Sequence, residues 1–188
     1  MKKLTLSTLA VIGALLASSF SFADDHKMDT LLTTCAACHG SAGISVNPLW
    51  PNLAGQNDKY LADQLRAYRS GARVNALMSG QAKNLSDDQI DALAAHFAAL
   101  PAAPAAGGEL NQAGAHVRGR CISCHGIEGK PVNAEWPILA GQKAPYLQQQ
   151  LMAFKSGERQ GSLMNVVAAE LSDSQIAAVA EYYSQQQP

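Results

Sequence analysis

Six residues, Cys35-Ala36-Ala37-Cys38-His39-Gly40, constrain this chain more than any other stretch, because they return as Cys121-Ile122-Ser123-Cys124-His125-Gly126. Two thiols three positions apart share one helical turn and reach the two vinyl groups of one porphyrin. The next residue then sets an imidazole under the iron. Cys-x-x-Cys-His is thus the signal for covalent attachment of c-type haem. Two copies imply two haem c groups. Cys35, Cys38, Cys121 and Cys124 are the attachment points, and His39 and His125 are axial iron ligands.

The duplication runs well past the motif. Cys121 follows Cys35 by 86 positions, and the same offset carries Trp50-Pro51 to Trp136-Pro137 and Leu53-Ala54-Gly55-Gln56 to Leu139-Ala140-Gly141-Gln142. It also carries Tyr60-Leu61, Gly71, Leu77-Met78 and Leu85-Ser86-Asp87 to Tyr146-Leu147, Gly157, Leu163-Met164 and Leu171-Ser172-Asp173. About half the positions from Cys35 to Ile90 are identical to their mates without a gap, so the chain is a duplicated domain. Between the copies, Pro101-Ala102-Ala103-Pro104-Ala105-Ala106-Gly107-Gly108 reads as a linker, since proline cannot continue a helix and glycine adds freedom. The expected organisation is a leader over 1–23, a domain over 24–103, a linker over 104–108 and a second domain over 109–188. Each half is small for a self-sufficient core, and a buried covalent cofactor would supply the missing apolar centre.

The leader follows from Lys2 and Lys3, the apolar run Leu4 to Ala17, and Ser21-Phe22-Ala23 at the positions a signal peptidase reads. Read as a membrane anchor, the run is too short for a confident span. Export implies an oxidising compartment, most simply a bacterial periplasm. Two disulfides or a shared zinc site would also use four cysteines, but neither accounts for the histidine after each pair or the methionine pattern below. A thioredoxin-like pair lacks its βαβ context. The formal net charge of −1 and the absence of a basic cluster speak against nucleic acid.

Each half reads as helical: a helix into the haem motif, a Gly/Pro/Asn-rich loop, a helix from about Lys59 to Ser70 closed by Gly71, and a last helix opened by a capping box. The boxes are Ser86 with Gln89 and Ser172 with Gln175. Ile90, Leu93 and Phe97 form an apolar stripe matched by Ile176, Val179 and Tyr183. Pro145 suits the first turn of the second copy's middle helix.

Iron held by one histidine has a sixth position, and thioether sulfur is a soft ligand that raises the potential. Met78 and Met164 each follow their histidine by 39 positions, in a loop before the capped helix, and among the five methionines they alone are mates. Although methionine is more often core filler, this pairing makes them the expected axial ligands. His26, His96 and His116 have no histidine mates, so bis-histidine ligation in both halves is not expected. The carbonyls of Pro51 and Pro137 could accept from the axial imidazoles, or the prolines could simply stiffen the loop. Arg73 and Arg159 are mates, suited either to a propionate or to solvent. Trp50 and Trp136 read as packing residues.

With these residues in place, each half resembles a class I cytochrome c domain: Cys-x-x-Cys-His, a Pro-x-Leu-x-Gly loop at Pro51 to Gly55, and a late methionine. The tandem, with Leu-Ala-Gly-Gln and Tyr-Leu in both copies, resembles the dihaem cytochrome c4 family over nearly all of the mature chain. The resemblance implies an all-α fold of two tandem class I cytochrome c domains, with propionates near the domain interface. It implies that the carbonyl of the proline after tryptophan accepts from the axial histidine, and that Met78 and Met164 are sixth ligands. It also implies a periplasmic electron carrier between respiratory partners, such as a cytochrome bc complex and a terminal oxidase, with peripheral membrane association possible. The second reading is the electron-accepting subunit of a periplasmic dehydrogenase. A dihaem peroxidase would need a sixth position open to peroxide, which the paired methionines oppose.

Overall fold

The computed structural model describes residues 18–188, with side chains from residue 27 onward. The leader falls outside the described residues except for 18–23, which open the first helix. That helix, α1 (Ser18–His39), runs unbroken through the haem motif and is followed by α2 (Asp58–Ser70), α3 (Met78–Ala82) and α4 (Asp87–Ala99). The second half repeats the order as α5 (Gln112–Val117), a 3-10 turn (Arg118–Arg120), α6 (Ile122–His125), α7 (Ala144–Ser156), α8 (Ser162–Ala169) and α9 (Asp173–Ser184). The described residues contain no strand.

Local chemistry sets most of these boundaries. Gly71 and Gly157 take left-handed backbone, φ 81° and 80°, at the ends of α2 and α7. Ser86 and Ser172 accept from the N–H of Gln89 and Gln175, whose side chains reach back to the serine N–H, so both capping boxes form. Pro145 takes the second position of α7, where it removes no helical hydrogen bond.

The last helix of each half lies at its centre. Ile90, Leu93, Ala94 and Phe97 of α4 pack with Leu61 and Ala62 of α2, and Met28, Leu31, Leu32 and Cys35 of α1 close over them. In the second half, Val179, Ala180, Tyr182 and Tyr183 of α9 pack with Leu147, under Ala115, Val117 and Cys121. Each of the larger buried side chains, such as Leu61, Ile90, Leu93, Phe97, Leu147 and Val179, stabilises its half by about 1.5–3 kcal/mol. A polar tie repeats beside each core. Arg69 donates to the Leu85 carbonyl at 2.8 Å and to Asp87 at 2.6 Å, and its mate Lys155 does the same to Leu171 and Asp173, at 2.8 and 2.7 Å.

Three features differ from the sequence reading. Met78 and Met164 lie on short helices, not in a loop. The Asn75 side-chain oxygen accepts from the Leu77 and Met78 N–H groups at 3.1 and 3.0 Å and starts α3, while in the second copy Asn165 accepts from the Gly161 N–H at 2.7 Å. The first helix of the second half is broken where Gly119 stands in place of Thr33. The linker region is packed at several points, with Ala103 buried and the Ala106 N–H donating to the Ser184 carbonyl at 2.8 Å.

Candidate haem-binding sites

The two motifs end in the same geometry. His39 and His125 are buried, and each Nδ1 meets a proline carbonyl, Pro51 at 3.0 Å and Pro137 at 3.1 Å. The proline therefore acts as an acceptor in addition to stiffening the loop. This fixes each ring and leaves Nε2 as the nitrogen available to a metal. Burial lowers both imidazole pKa values, the proline carbonyls oppose that, and Lys143 lowers His39 further, so both rings favour the neutral, ligating form. Gly40 and Gly126 turn the chain after each histidine with φ 80° and 77°. A Cβ there would lie 2.2 Å from the carbonyl oxygen of Ile44 or Lys130, so no other residue fits.

The four cysteines are unpaired, and burial pushes the thiols of Cys35 and Cys121 up. Each loop is anchored to its half identically: Leu53 and Ala54 donate to the Gly43 carbonyl, Gly55 to Phe97, and their mates Leu139, Ala140 and Gly141 to Gly129 and Tyr183. Met78 and Met164 are half-buried. His96 is exposed against the edge of Phe97, and His116 bonds the Gln112 carbonyl of its own helix.

The loops are also held from the opposite domain, which the sequence reading missed. Gln142 accepts from the Asn52 N–H at 2.9 Å and donates to the Asn52 carbonyl at 2.8 Å. Its mate Gln56 does the same to Ile138, at 2.7 and 2.9 Å. Ile138 is the mate of Asn52, so the seam has a pseudo-twofold axis. Asn52 and Ile138 directly follow the prolines that hold the histidines. Beyond this pair, Arg73 donates to Gln64, Gln150 and Tyr146, and Arg159 donates to Gln150, Gln64 and Tyr60, at 2.6–3.3 Å. All six residues of this ring recur at the 86-residue offset. Arg73 is only 9% exposed, which rules out its solvent-facing alternative. A sequence signal existed for this ring: polar residues identical in both copies that no helix face explains.

The residues fit covalent haem. Each half offers two free thiols on one turn, a buried imidazole with Nδ1 already bonded, and a share in two guanidiniums whose polar partners include no carboxylate. The last feature suits propionates. Together, fold and site define a tandem of class I cytochrome c domains.

The cytochrome c family model matches residues 29–101 and again 111–187. The chain is 42% identical to a thiosulfate dehydrogenase electron acceptor from Thiomonas intermedia (strain K12), over 81% of this chain and 78% of that one. It is 34% identical to a cytochrome c4 from Pseudomonas aeruginosa, over 97% of this chain and 98% of that one. The solved structure of cytochrome c4 from Acidithiobacillus ferrooxidans superposes with a TM-score of 0.76 at 32% identity, covering 81% of this chain and 99% of that one. The chain belongs to the cytochrome c family, as a two-domain electron carrier of the dihaem cytochrome c4 type with covalent haem c in each domain.

Proposed function

We propose that the mature protein shuttles electrons between respiratory redox partners in the periplasm, with a terminal oxidase as acceptor. Cys35 and Cys38 attach one haem, with His39 and Met78 as axial ligands; Cys121 and Cys124 attach the other, with His125 and Met164. Bound haem supplies a one-electron ferrous–ferric couple. The chain's part is to keep the ligands still while the charge changes. One observation carries this reading: each proline that accepts from an axial histidine sits in a loop anchored to its own last helix and clamped across the seam. A carrier profits from such rigidity, and it can exchange electrons through brief, small contacts.

A more specific reading of the donor rests on the relative from Thiomonas intermedia, named as an electron acceptor of thiosulfate dehydrogenase. On that reading the donor is a dehydrogenase acting on a sulfur compound, and co-purification of such an enzyme from native periplasm would identify it.

Spectroscopy of purified protein tests the carrier reading. The oxidised form should be low-spin, with the weak far-red sulfur-to-iron band. Met78→Ala or Met164→Ala should each remove part of that band and open one site to carbon monoxide. A high-spin resting spectrum with substantial peroxide turnover would overturn the reading.

A further inference from the structure

Most hydrogen bonds across the seam recur in both directions; the Asn52 amide on the Gly141 carbonyl and the Lys59–Glu135 ion pair do not, and the largest departure falls beside an axial histidine. Residue 57 in the first half and its mate 143 in the second each reach the facing haem loop. Asn57 donates its side-chain amide to the Trp136 carbonyl at 2.7 Å. Lys143 donates its Nζ to the Trp50 carbonyl at 3.3 Å, the Asn47 carbonyl at 2.9 Å and the Ser45 carbonyl. Three carbonyls around one nitrogen match the three N–H groups of an ammonium. The loop that supports His39 therefore carries a cation from the other domain, and the loop that supports His125 carries a neutral amide in its place.

Among the described residues no other cation bonds the carbonyls of the opposite half's haem loop. Lys143 has no carboxylate within ion-pair distance among the described residues. Lys59, which lies near the second loop, is half-exposed and paired with Asp63 at 3.2 Å and Glu135 at 3.3 Å. Arg118 donates to the Ile127 carbonyl at 3.0 Å, just after the second motif, from within its own half and not across the seam. Arg73 and Arg159 are placed alike in the two halves.

We propose that Lys143 tunes the N-terminal haem from across the seam, raising its reduction potential and making two duplicated sites electrochemically unequal. Ferric iron carries one more positive charge than ferrous iron, so a nearby ammonium disfavours the oxidised form. The same field draws electron density away from the His39 imidazole, which weakens its donation to ferric iron and acts in the same direction. Half-buried and ringed by carbonyls, the charge is screened less by salt than a surface lysine would be. This inference rests on the electron-carrier reading and on His39 as a ligand.

The test is a spectroelectrochemical titration of the holoprotein, with each couple assigned from its paramagnetic NMR haem-methyl signals. Lys143→Asn installs the residue its mate already has. It should shift electron sharing between the haems about tenfold toward the C-terminal haem, about 59 mV for a one-electron couple, all of it in the N-terminal couple. Lys143→Met, which keeps the stem and removes the charge, should do the same, and Lys143→Arg should restore the parent value. Asn57→Lys should raise the C-terminal couple. An N-terminal couple that stays in place or rises in both neutral variants, or two couples that move equally, would overturn the role of Lys143. If the parent protein shows no pair of reversible one-electron couples, the carrier reading itself falls.

Discussion

The two halves bury nearly the same last helix under very different first helices. In the first half α1 is continuous through the cysteines, and Met28 stands between it and α4. In the second half Gly114 occupies the matching position, and α5 lies so close to α9 that a Cβ on Gly114 would be 2.1 Å from the Ala178 carbonyl oxygen. The chain then bends through the 3-10 turn before resuming at α6. Yet both paths deliver the cysteines, the histidine and the following glycine to the same environment. Helix continuity is therefore dispensable, while the loop bonds around Gly43 and Gly129 and the proline–histidine contact are reproduced almost bond for bond.

Exchanging the residues that differ should break this comparison most severely. Gly114→Met, the first half's residue placed in the second, should destabilise the C-terminal domain by about 3–5 kcal/mol, because backbone would have to move. Domain-resolved denaturant unfolding reads the loss, and a cost below about 1 kcal/mol would show that α5 can lift away freely.

A smaller effect sharpens what the halves share. Gln64 and Gln150 each accept from both guanidiniums, so removing one arginine leaves each amide oxygen a donor and relieves like-charge repulsion. Arg73→Gln and Arg159→Gln should each cost about 1 kcal/mol, and the double variant about 3 kcal/mol or more, since both oxygens then lose every guanidinium donor. A strictly additive cycle would mean that the ring does not act as a unit.

The smallest effect concerns Tyr183, whose mate is Phe97. Its hydroxyl is buried without an oxygen or nitrogen partner, beside the Cys121 sulfur, and burial raises its pKa. A thiol could serve as a weak partner, but a sulfur joined to haem has no proton to give and accepts only weakly. Tyr183→Phe should therefore leave stability unchanged or raise it by up to about 1 kcal/mol in thermal unfolding. A loss of 2 kcal/mol would reveal a partner for the hydroxyl in the haem-bound protein.

What could be read in the sequence follows from the range of the interactions. Capping boxes, glycine terminators and the apolar stripes of α4 and α9 are set within a few residues, so Ser86, Gly71 and Phe97 declared themselves. The motif and its repeat mark the candidate haem ligands for the same reason. Around Met78 and Met164 the sequence reads as loop, because a single asparagine side chain starts each short helix. The break at Gly119 needed the knowledge that Gly114 draws α5 inward onto α9. The seam was least legible: Gln142 and Asn52 lie 90 positions apart, and their pairing depends on how two finished domains meet.

The pseudo-twofold seam is lined largely by amides, guanidiniums and phenols, a composition that would hold two free proteins together only weakly. On this chain the partner surfaces are never free. A short tether keeps each half at a millimolar effective concentration of the other, so association forfeits little translational freedom and need not rely on a large apolar patch. Polar contacts are then sufficient to keep the halves in register, and the apolar surface that an independent dimer would require need not be exposed during folding.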